Sequence, residues 1–125
     1  MKNTILITGG SQRIGAVISE RIAQEGSNVI IHYNKSKKKA FNLKKRLSSY
    51  KINSCCIKAD LSKELELKKL FINAKKDMGN INCLINNAST FELDNISKIK
   101  KKNWDYHLNT NVWAPISLIQ QFVKN

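Results

Sequence analysis

The 125-residue sequence has no long hydrophobic run and few cysteines, and each shortage excludes a class of protein. No stretch of about eighteen apolar residues occurs, so we expect no membrane-spanning helix. The N-terminus runs directly into a strand pattern without a charged and apolar leader, which predicts a cytoplasmic location. The cysteines Cys55, Cys56 and Cys83 are odd in number and lack C-x-x-C spacing. They are therefore expected to be reduced thiols in the core, with no metal or redox site.

Acidic residues are also scarce, with nine against 22 basic residues and a formal net charge of +13. Such an excess is one mark of a protein that binds nucleic acid. However, only Arg13, Arg21 and Arg46 are arginines, and arginine is the side chain suited to bidentate contacts with phosphate and guanine. An AT-rich coding bias would explain the many lysines without any function. The composition therefore argues against a nucleic-acid partner.

Short apolar runs alternate with amphipathic segments along the whole chain. This alternation predicts right-handed crossovers and a parallel sheet. The expected strands cover residues 4–8, 28–33, 53–59 and 81–86, and the expected helices cover 13–25, 37–49, 62–79 and 104 to the C-terminus. The expected fold class is therefore α/β, a Rossmann-type parallel sheet with helices on both faces, forming one domain over residues 1–125.

Within these segments the apolar spacing predicts which helix faces are buried. The first helix is expected to bury Ile14, Val17, Ile18 and Ile22. The third is expected to begin at a Ser62 cap and to bury Leu65, Leu67, Leu70 and Phe71. A break in the last helix is expected near Pro115, because proline cannot continue the hydrogen-bond ladder.

The stretch TGGSQRIG at residues 8–15 follows the first strand and opens the first helix. It lacks the dinucleotide fingerprint G-x-G-x-x-G, yet a strand that turns sharply into a helix leaves backbone N–H groups that favour an anion. Small residues at Gly9, Gly10 and Ser11 would let a pyrophosphate approach, and Gly15 would allow close packing of helix on strand. The alternative is an ordinary tight turn.

No aspartate or glutamate occurs between Glu25 and Asp60, and the second strand ends in HYNKSKKK. An NAD site usually offers a carboxylate at this place for the ribose 2′-hydroxyl. Donors and positive charge suit a 2′-phosphate instead, so the expected cofactor is NADP(H). The alternative is that the lysines merely solvate the start of a helix.

Four motifs in order now carry a family resemblance: T-G-x-x-x-x-I-G at 8–15, ADL at 59–61, NNAS at 86–89, and Asn111 within TNVWAP. With these motifs the chain resembles the short-chain dehydrogenase/reductase family over nearly its whole length. Arg13 and Ser89 stand where the family commonly has glycine. Both departures, with HYNKS and Phe91, resemble the pteridine reductase branch.

The resemblance implies a role for each motif. The glycine loop would line the pyrophosphate and nicotinamide side, residues 32–36 the 2′-phosphate, residues 60–61 the adenine, and residues 87–89 the ribose. The expected cofactor-binding residues are Gly9, Ser11, Arg13, Ile14, Gly15, His32, Tyr33, Asn34, Lys35, Ser36, Asp60, Leu61, Asn87, Ala88 and Ser89.

Two further residues are assigned by the same resemblance. Phe91 would stack a pterin substrate against the nicotinamide ring, and Asn111 would be the catalytic asparagine that supports the active-site lysine through water. The alternatives are an apolar loop plug for Phe91 and a helix-bending hydrogen bond for Asn111.

The family's proton donor is the tyrosine of Y-x-x-x-K, whose pKa the lysine lowers. The one Y-x-x-x-K in this chain, Tyr33 to Lys37, would lie at the adenosine end and is interpreted as a coincidence. In the family the true pair follows a fifth strand. The resemblance therefore implies a domain truncated after about four strands, the N-terminal cofactor half, which we expect to be inactive alone. Its fourth strand would then form a sheet edge beside exposed apolar surface.

Three readings of function follow. The first is an NADPH-dependent pteridine-reductase-like oxidoreductase acting on a small carbonyl or imine, whose full-length relatives are typically homo-oligomeric. The second is a 3-oxoacyl-carrier-protein reductase, whose acidic partner would suit a basic surface. The third is a non-catalytic nucleotide-binding or interaction module.

Overall fold

The structure, a computed structural model, describes residues 1–125 as alternating strands and helices. The strands are β1 Thr4–Ile7, β2 Asn28–Tyr33, β3 Ser54–Lys58 and β4 Cys83–Ile85. The helices are α1 Arg13–Gln24, α2 Lys37–Leu47, α3 Glu64–Met78, α4 Lys101–Leu108 and α5 Ala114–Val123, with a short 3₁₀ turn at Ser48–Tyr50 and a π turn at Asn109–Trp113.

The four strands form one parallel sheet in the order β3-β2-β1-β4. The chain therefore moves outward from β1 to β3 and then returns to the other side of β1. In sheets of this kind the reversal leaves a crevice at the carboxyl ends of the two strands beside it, here β1 and β4. The fold class is confirmed, and β4 is a sheet edge as expected.

Side chains of the buried strands alternate between two apolar clusters, one on each sheet face. One cluster joins Leu6 and Ile30 to α3 and α5, and the other joins Ile7 and Ile31 to α1 and α2. Both faces of the sheet are thus covered, which explains why the strand sequences are apolar without a polar face.

The predicted apolar face of α1 was wrong in part. Ile14 and Val17 are each 70% exposed, whereas Gly15, Ser19 and Ala23 are buried. The helix packs close to the glycine loop, where only small side chains fit, and the Ser19 hydroxyl donates to the carbonyl oxygens of Gly10 and Gly15.

Two predictions for α3 were also wrong. Ser62 does not cap the helix, because its hydroxyl and its N–H both donate to Oδ1 of Asp60, and the capping position is Lys63. Leu65 is exposed, while Leu67 and Leu70 are buried as expected.

The C-terminal helix begins earlier than predicted, at Lys101, and is interrupted by the π turn immediately before Pro115. Pro115 then lies in the first turn of α5, where its missing N–H costs no ladder hydrogen bond. The predicted break is confirmed. No helix of the chain is long and apolar enough to cross a membrane.

The cysteines are free, as expected, but the prediction that they lie in the core was wrong in part, because Cys55 and Cys56 are only half-buried beside it. Burial raises the pKa of the Cys55 thiol to about 12 and also raises the pKa of Cys56, so both remain protonated. Cys83 lies on the edge strand and is exposed, which corrects its predicted burial. No group of three or more His, Cys, Asp or Glu side chains comes together in a way that could hold a metal ion.

Candidate functional site

The glycine loop between β1 and α1 is held in place by His32 at the end of β2. Nδ1 of His32 accepts a hydrogen bond from the Gly9 N–H at 3.0 Å, and the His32 carbonyl oxygen accepts one from the Gly10 N–H at 3.0 Å. Gly9 adopts a φ of +61°, which glycine tolerates at little cost. The N–H groups of Gly9 and Gly10 are therefore hydrogen-bonded within the chain and are not available to a ligand.

The next N–H groups, those of residues 11–15, donate to no acceptor within the chain. The backbone ladder of α1 is entered only at Ala16, whose N–H donates to the Gln12 carbonyl oxygen at 3.2 Å. These consecutive donors lie at a helix N-terminus, where the helix dipole adds positive potential. The loop is thus built to bind an anion such as a phosphate.

Gly15 lets the helix approach this loop closely. A Cβ added there would lie 2.0 Å from the Gly9 carbonyl oxygen and 2.7 Å from Nδ2 of Asn87. Real Cβ atoms do not approach so near, so the close packing expected at Gly15 is confirmed and requires glycine.

Arg13 is the first residue of α1 and has a φ of +50°, in the left-handed region. A non-glycine residue in this region is strained by roughly 1–2 kcal/mol. Its guanidinium group makes no ion pair within the chain, and Arg13 lines a cleft at the carboxyl ends of the strands. An uncompensated cation on a strained backbone beside free amides is an arrangement suited to an anionic ligand.

The carboxyl ends of the strands enclose a cleft of about 450 Å³. Its lining includes every residue expected to contact a cofactor, from the loops after β1, β2, β3 and β4. The residues brought together are Gly9, Ser11, Arg13, Ile14, Gly15, His32, Tyr33, Asn34, Lys35, Ser36, Asp60, Leu61, Asn87, Ala88 and Ser89. Gln12, Thr90, Tyr106 and Thr110 also line it and were not anticipated.

Two of these four additional lining residues could have been predicted from the sequence. Gln12 and Thr90 are neighbours of expected residues, so their motifs could have indicated them. Tyr106 and Thr110 approach from α4 and the π turn, and their place depends on how that helix crosses the sheet.

The His32 side chain holds the surrounding loops in place, and neither of its ring nitrogens is free to bind a ligand. Nε2 lies 2.9 Å from the Ala59 carbonyl oxygen and donates to it, so Nδ1 is the acceptor for Gly9 and the imidazole is neutral. Burial lowers the pKa of His32. With both nitrogens engaged, the loop donors left free toward the cleft belong to Asn34, Lys35 and Ser36.

Thr8 and Asn87 fasten β1 to β4 at the base of the cleft. The Thr8 hydroxyl accepts hydrogen bonds from the N–H groups of Asn87 and Ala88, both at 3.0 Å. Nδ2 of Asn87 donates to the carbonyl oxygens of Thr8 and Gly9, both at 3.1 Å. The two loops at the sheet's switch point are thus one hydrogen-bonded unit.

Phe91 and Asn111 lie outside the cleft lining. Phe91 is 82% exposed. The Asn111 side chain accepts from the Thr90 N–H and donates to the Thr90 carbonyl oxygen, each at 2.8 Å. Nearby, Nε2 of His107 accepts from the Glu92 N–H at 2.9 Å. The π turn and α4 therefore tether the start of the loop that carries Phe91.

Tyr33 is buried, at 6% exposure, and its ring meets Phe41 edge to face with centroids 6.3 Å apart. The Y-x-x-x-K at Tyr33 to Lys37 therefore has its phenol ring packed against α2. Tyr106 also lines the cleft, but the residue four positions later is Thr110 rather than lysine.

Comparison with known proteins places this site in a family. The chain is 30% identical over 121 residues to a 3-oxoacyl-[acyl-carrier-protein] reductase, FabG, of Staphylococcus epidermidis, covering 97% of this chain and 50% of that protein. It superimposes on FolM alternative dihydrofolate reductase 1 from Brucella canis, complexed with NADP, with a TM-score of 0.91, 32% identity, and coverage of 98% of this chain and 49% of that one.

A short chain dehydrogenase from Burkholderia cenocepacia in complex with NADP gives a TM-score of 0.92 at 27% identity, covering 99% of this chain and 50% of that one. The chain thus spans about half the length of the relatives it matches. The family model for short chain dehydrogenases matches residues 3–125. With the glycine loop, the parallel sheet and the cleft at its switch point, this match shows that the chain belongs to the short chain dehydrogenase family.

Proposed function

We propose that this chain binds NADP(H) and forms the cofactor-binding half of an NADPH-dependent oxidoreductase. The observation that carries the proposal is the run of unpaired N–H groups at residues 11–15 facing the same cleft as Asn34, Lys35 and Ser36. The N–H groups of residues 11–15 suit the pyrophosphate of the cofactor. Asn34, Lys35 and Ser36 offer amide, ammonium and hydroxyl donors to the 2′-phosphate, and none of them is a carboxylate.

The bound NADP in the Brucella and Burkholderia structures supports this cofactor. When bound, NADPH supplies a hydride. The residues of this chain hold its phosphates, fix the depth of the cleft through His32 and Asn87, and offer the Arg13 guanidinium at its edge.

Nuclear magnetic resonance of the 15N-labelled chain tests the proposal residue by residue. On addition of NADPH, the amide signals of residues 11–15 should shift, together with those of residues 34–36. The signals of residues 72–78, at the end of α3 that lines neither cavity, serve as the internal control. Saturable shifts elsewhere, with residues 11–15 unmoved, would refute the assignment.

For the substrate we propose a pteridine. The likeness to FolM alternative dihydrofolate reductase 1 supports this choice, as do Arg13 at the cleft and the exposed Phe91, which leaves a ring free for stacking. In the NADP-saturated chain, a dihydropterin should bind more weakly to Phe91→Ala than to wild type. Leu93→Ala, at another exposed apolar residue of the same loop, is the control.

A 3-oxoacyl-carrier-protein reductase is the second candidate, supported by the 30% identity to the Staphylococcus protein. Its expected substrate is a 3-oxoacyl thioester on an acidic carrier protein, which the net charge of +13 would attract. Binding of an acyl carrier protein but not of dihydropterin would favour this candidate over the first.

A further inference from the structure

A second cavity of about 460 Å³ adjoins the nucleotide cleft at the end of β2. The two share Tyr33, Asn34, Lys35 and Asp60. The remaining wall of the second cavity comes from other elements, namely Lys37 of α2, Lys58 at the end of β3, and Lys63 and Glu66 at the start of α3.

The lysines that line this cavity outnumber the carboxylates that line it. Lys63 is paired with both carboxylates, at 3.9 Å from Asp60 and 3.4 Å from Glu66. A hydrogen bond from the Asp60 N–H to Glu66 lowers the pKa of Glu66. That carboxylate therefore stays charged and is already bound by Lys63 and the Asp60 N–H. Lys35 and Lys58 are left without a carboxylate within the chain.

The sheet register places Lys58 beside the loop that follows β2. Lys58 is the Cα partner of Tyr33 in the parallel ladder, and adjacent strands lie about 4.8 Å apart. Partnered residues point to the same sheet face, as Ile31 and Cys56 do two positions earlier. The Lys58 side chain therefore extends on the α2 side, next to Lys35.

The one hydrophobic side chain that lines this cavity, Tyr33, is held in place by a neighbour on α2. Tyr33 packs under Phe41, and Nζ of Lys37 lies 5.9 Å from the Phe41 ring centroid. The cavity is lined by four lysines and two carboxylates, and Lys35, Lys37 and Lys58 form no ion pair. This excess of unpaired positive charge fits a compact dianion such as a phosphate monoester.

We infer that Lys58, from β3, is a specificity-determining residue for the nucleotide 2′-phosphate that the loop after β2 is proposed to hold. The inference rests on the proposed binding of NADP(H). The motif at the end of β2 could not indicate Lys58, because it lies 23 positions further along the chain than Lys35 and joins it only through strand pairing.

The test compares two probes, 2′,5′-ADP and ADP, which differ in whether they carry a 2′-phosphate. Their affinities for wild type, Lys58→Gln and Lys58→Arg are measured by calorimetry. The matched control is Lys69→Gln, an exposed lysine of α3 that lines neither cavity. Thermal unfolding checks that each variant is folded.

Lys58→Gln should bind 2′,5′-ADP about threefold to fivefold more weakly and ADP within twofold of wild type, as expected for one partly solvated ion pair. Lys58→Arg should restore most of the loss, and Lys69→Gln should leave the ratio of the two affinities unchanged. An unchanged ratio in Lys58→Gln, or an equal loss for both probes, would overturn the inference. A wild-type chain that does not prefer 2′,5′-ADP would instead refute the proposed cofactor.

Discussion

The His32 imidazole accepts a hydrogen bond from the Gly9 backbone N–H and donates one to the Ala59 carbonyl oxygen. One buried side chain thus joins the ends of β1, β2 and β3 beneath the cleft. Because only a neutral ring can accept from Gly9, the shape of the glycine loop depends on the protonation state of His32.

This relationship predicts a pH dependence of stability. Burial lowers the folded-state pKa of His32 below its ordinary value of 6.5, so the unfolded chain takes up the proton first as the pH falls. The free energy of unfolding should therefore be highest above pH 6.5 and should decrease as the pH falls below it. Urea unfolding between pH 5 and pH 8, chosen as roughly the range in which histidine titrates, measures the effect.

His32→Asn keeps an oxygen able to accept from Gly9 but removes the titrating ring. Its free energy of unfolding should be lower at neutral pH and should depend less on pH than that of wild type. A variant with the wild-type pH profile would show that another group is responsible.

Two substitutions of Arg13 should have the same effect on NADPH affinity but different effects on the free energy of unfolding. Arg13→Gly relieves the positive φ, so it should raise the free energy of unfolding by about 1 kcal/mol while weakening NADPH binding. Arg13→Ala also removes the guanidinium but keeps a Cβ in the left-handed region, so it should weaken binding without the gain in stability. Chemical unfolding and calorimetry of both variants make the comparison. Equal stability of the two would contradict the strain at this position.

The Asn111 side chain should stabilise the start of the loop that begins at Thr90. Asn111→Ala removes both hydrogen bonds to Thr90, so amide exchange of residues 90–92 should accelerate and stability should fall by about 1 kcal/mol. The control is Asn109→Ala in the same π turn, whose side chain makes no hydrogen bond. Hydrogen exchange that is equally fast in both variants would point to the turn itself rather than to the Asn111 side chain.

The 125-residue chain should not reduce 7,8-dihydropterins or ketones with NADPH. The ring of Tyr33, in the one Y-x-x-x-K, packs against Phe41 of α2, and Tyr106 has Thr110 rather than lysine four residues later. The chain then offers no tyrosine–lysine pair positioned to give a proton. NADPH absorbance at 340 nm in the presence of substrate, a standard assay wavelength, measures turnover. Clear turnover by the pure chain would contradict the expectation.

The fold could be predicted from the sequence because it depends on local patterns, whereas the site residues were implied by the family resemblance. Apolar runs of strand length and the motifs at strand ends locate β1 to β4, and parallel strands bring those ends together at one edge. The exposure of Ile14 and Val17 was missed because the packing of α1 depends on the fit of Gly15 and Ser19 against the loop, which spacing does not encode.

Other site features arise from contacts between distant segments. The engagement of both His32 nitrogens requires Gly9 and Ala59 at hydrogen-bond distance on either side. The entry of Tyr106 and Thr110 into the cleft depends on where α4 crosses the sheet. Such features could be predicted only once the strand order was known.

The central claim is that the cleft binds NADP(H) through the free amides of residues 11–15 and the acid-free loop after β2. Calorimetric titration of the chain with NADPH and with NADH under identical conditions tests it most directly. The chain should bind NADPH weakly but saturably, in clear preference to NADH. Equal affinities for the two nucleotides, or no binding of either, would contradict it.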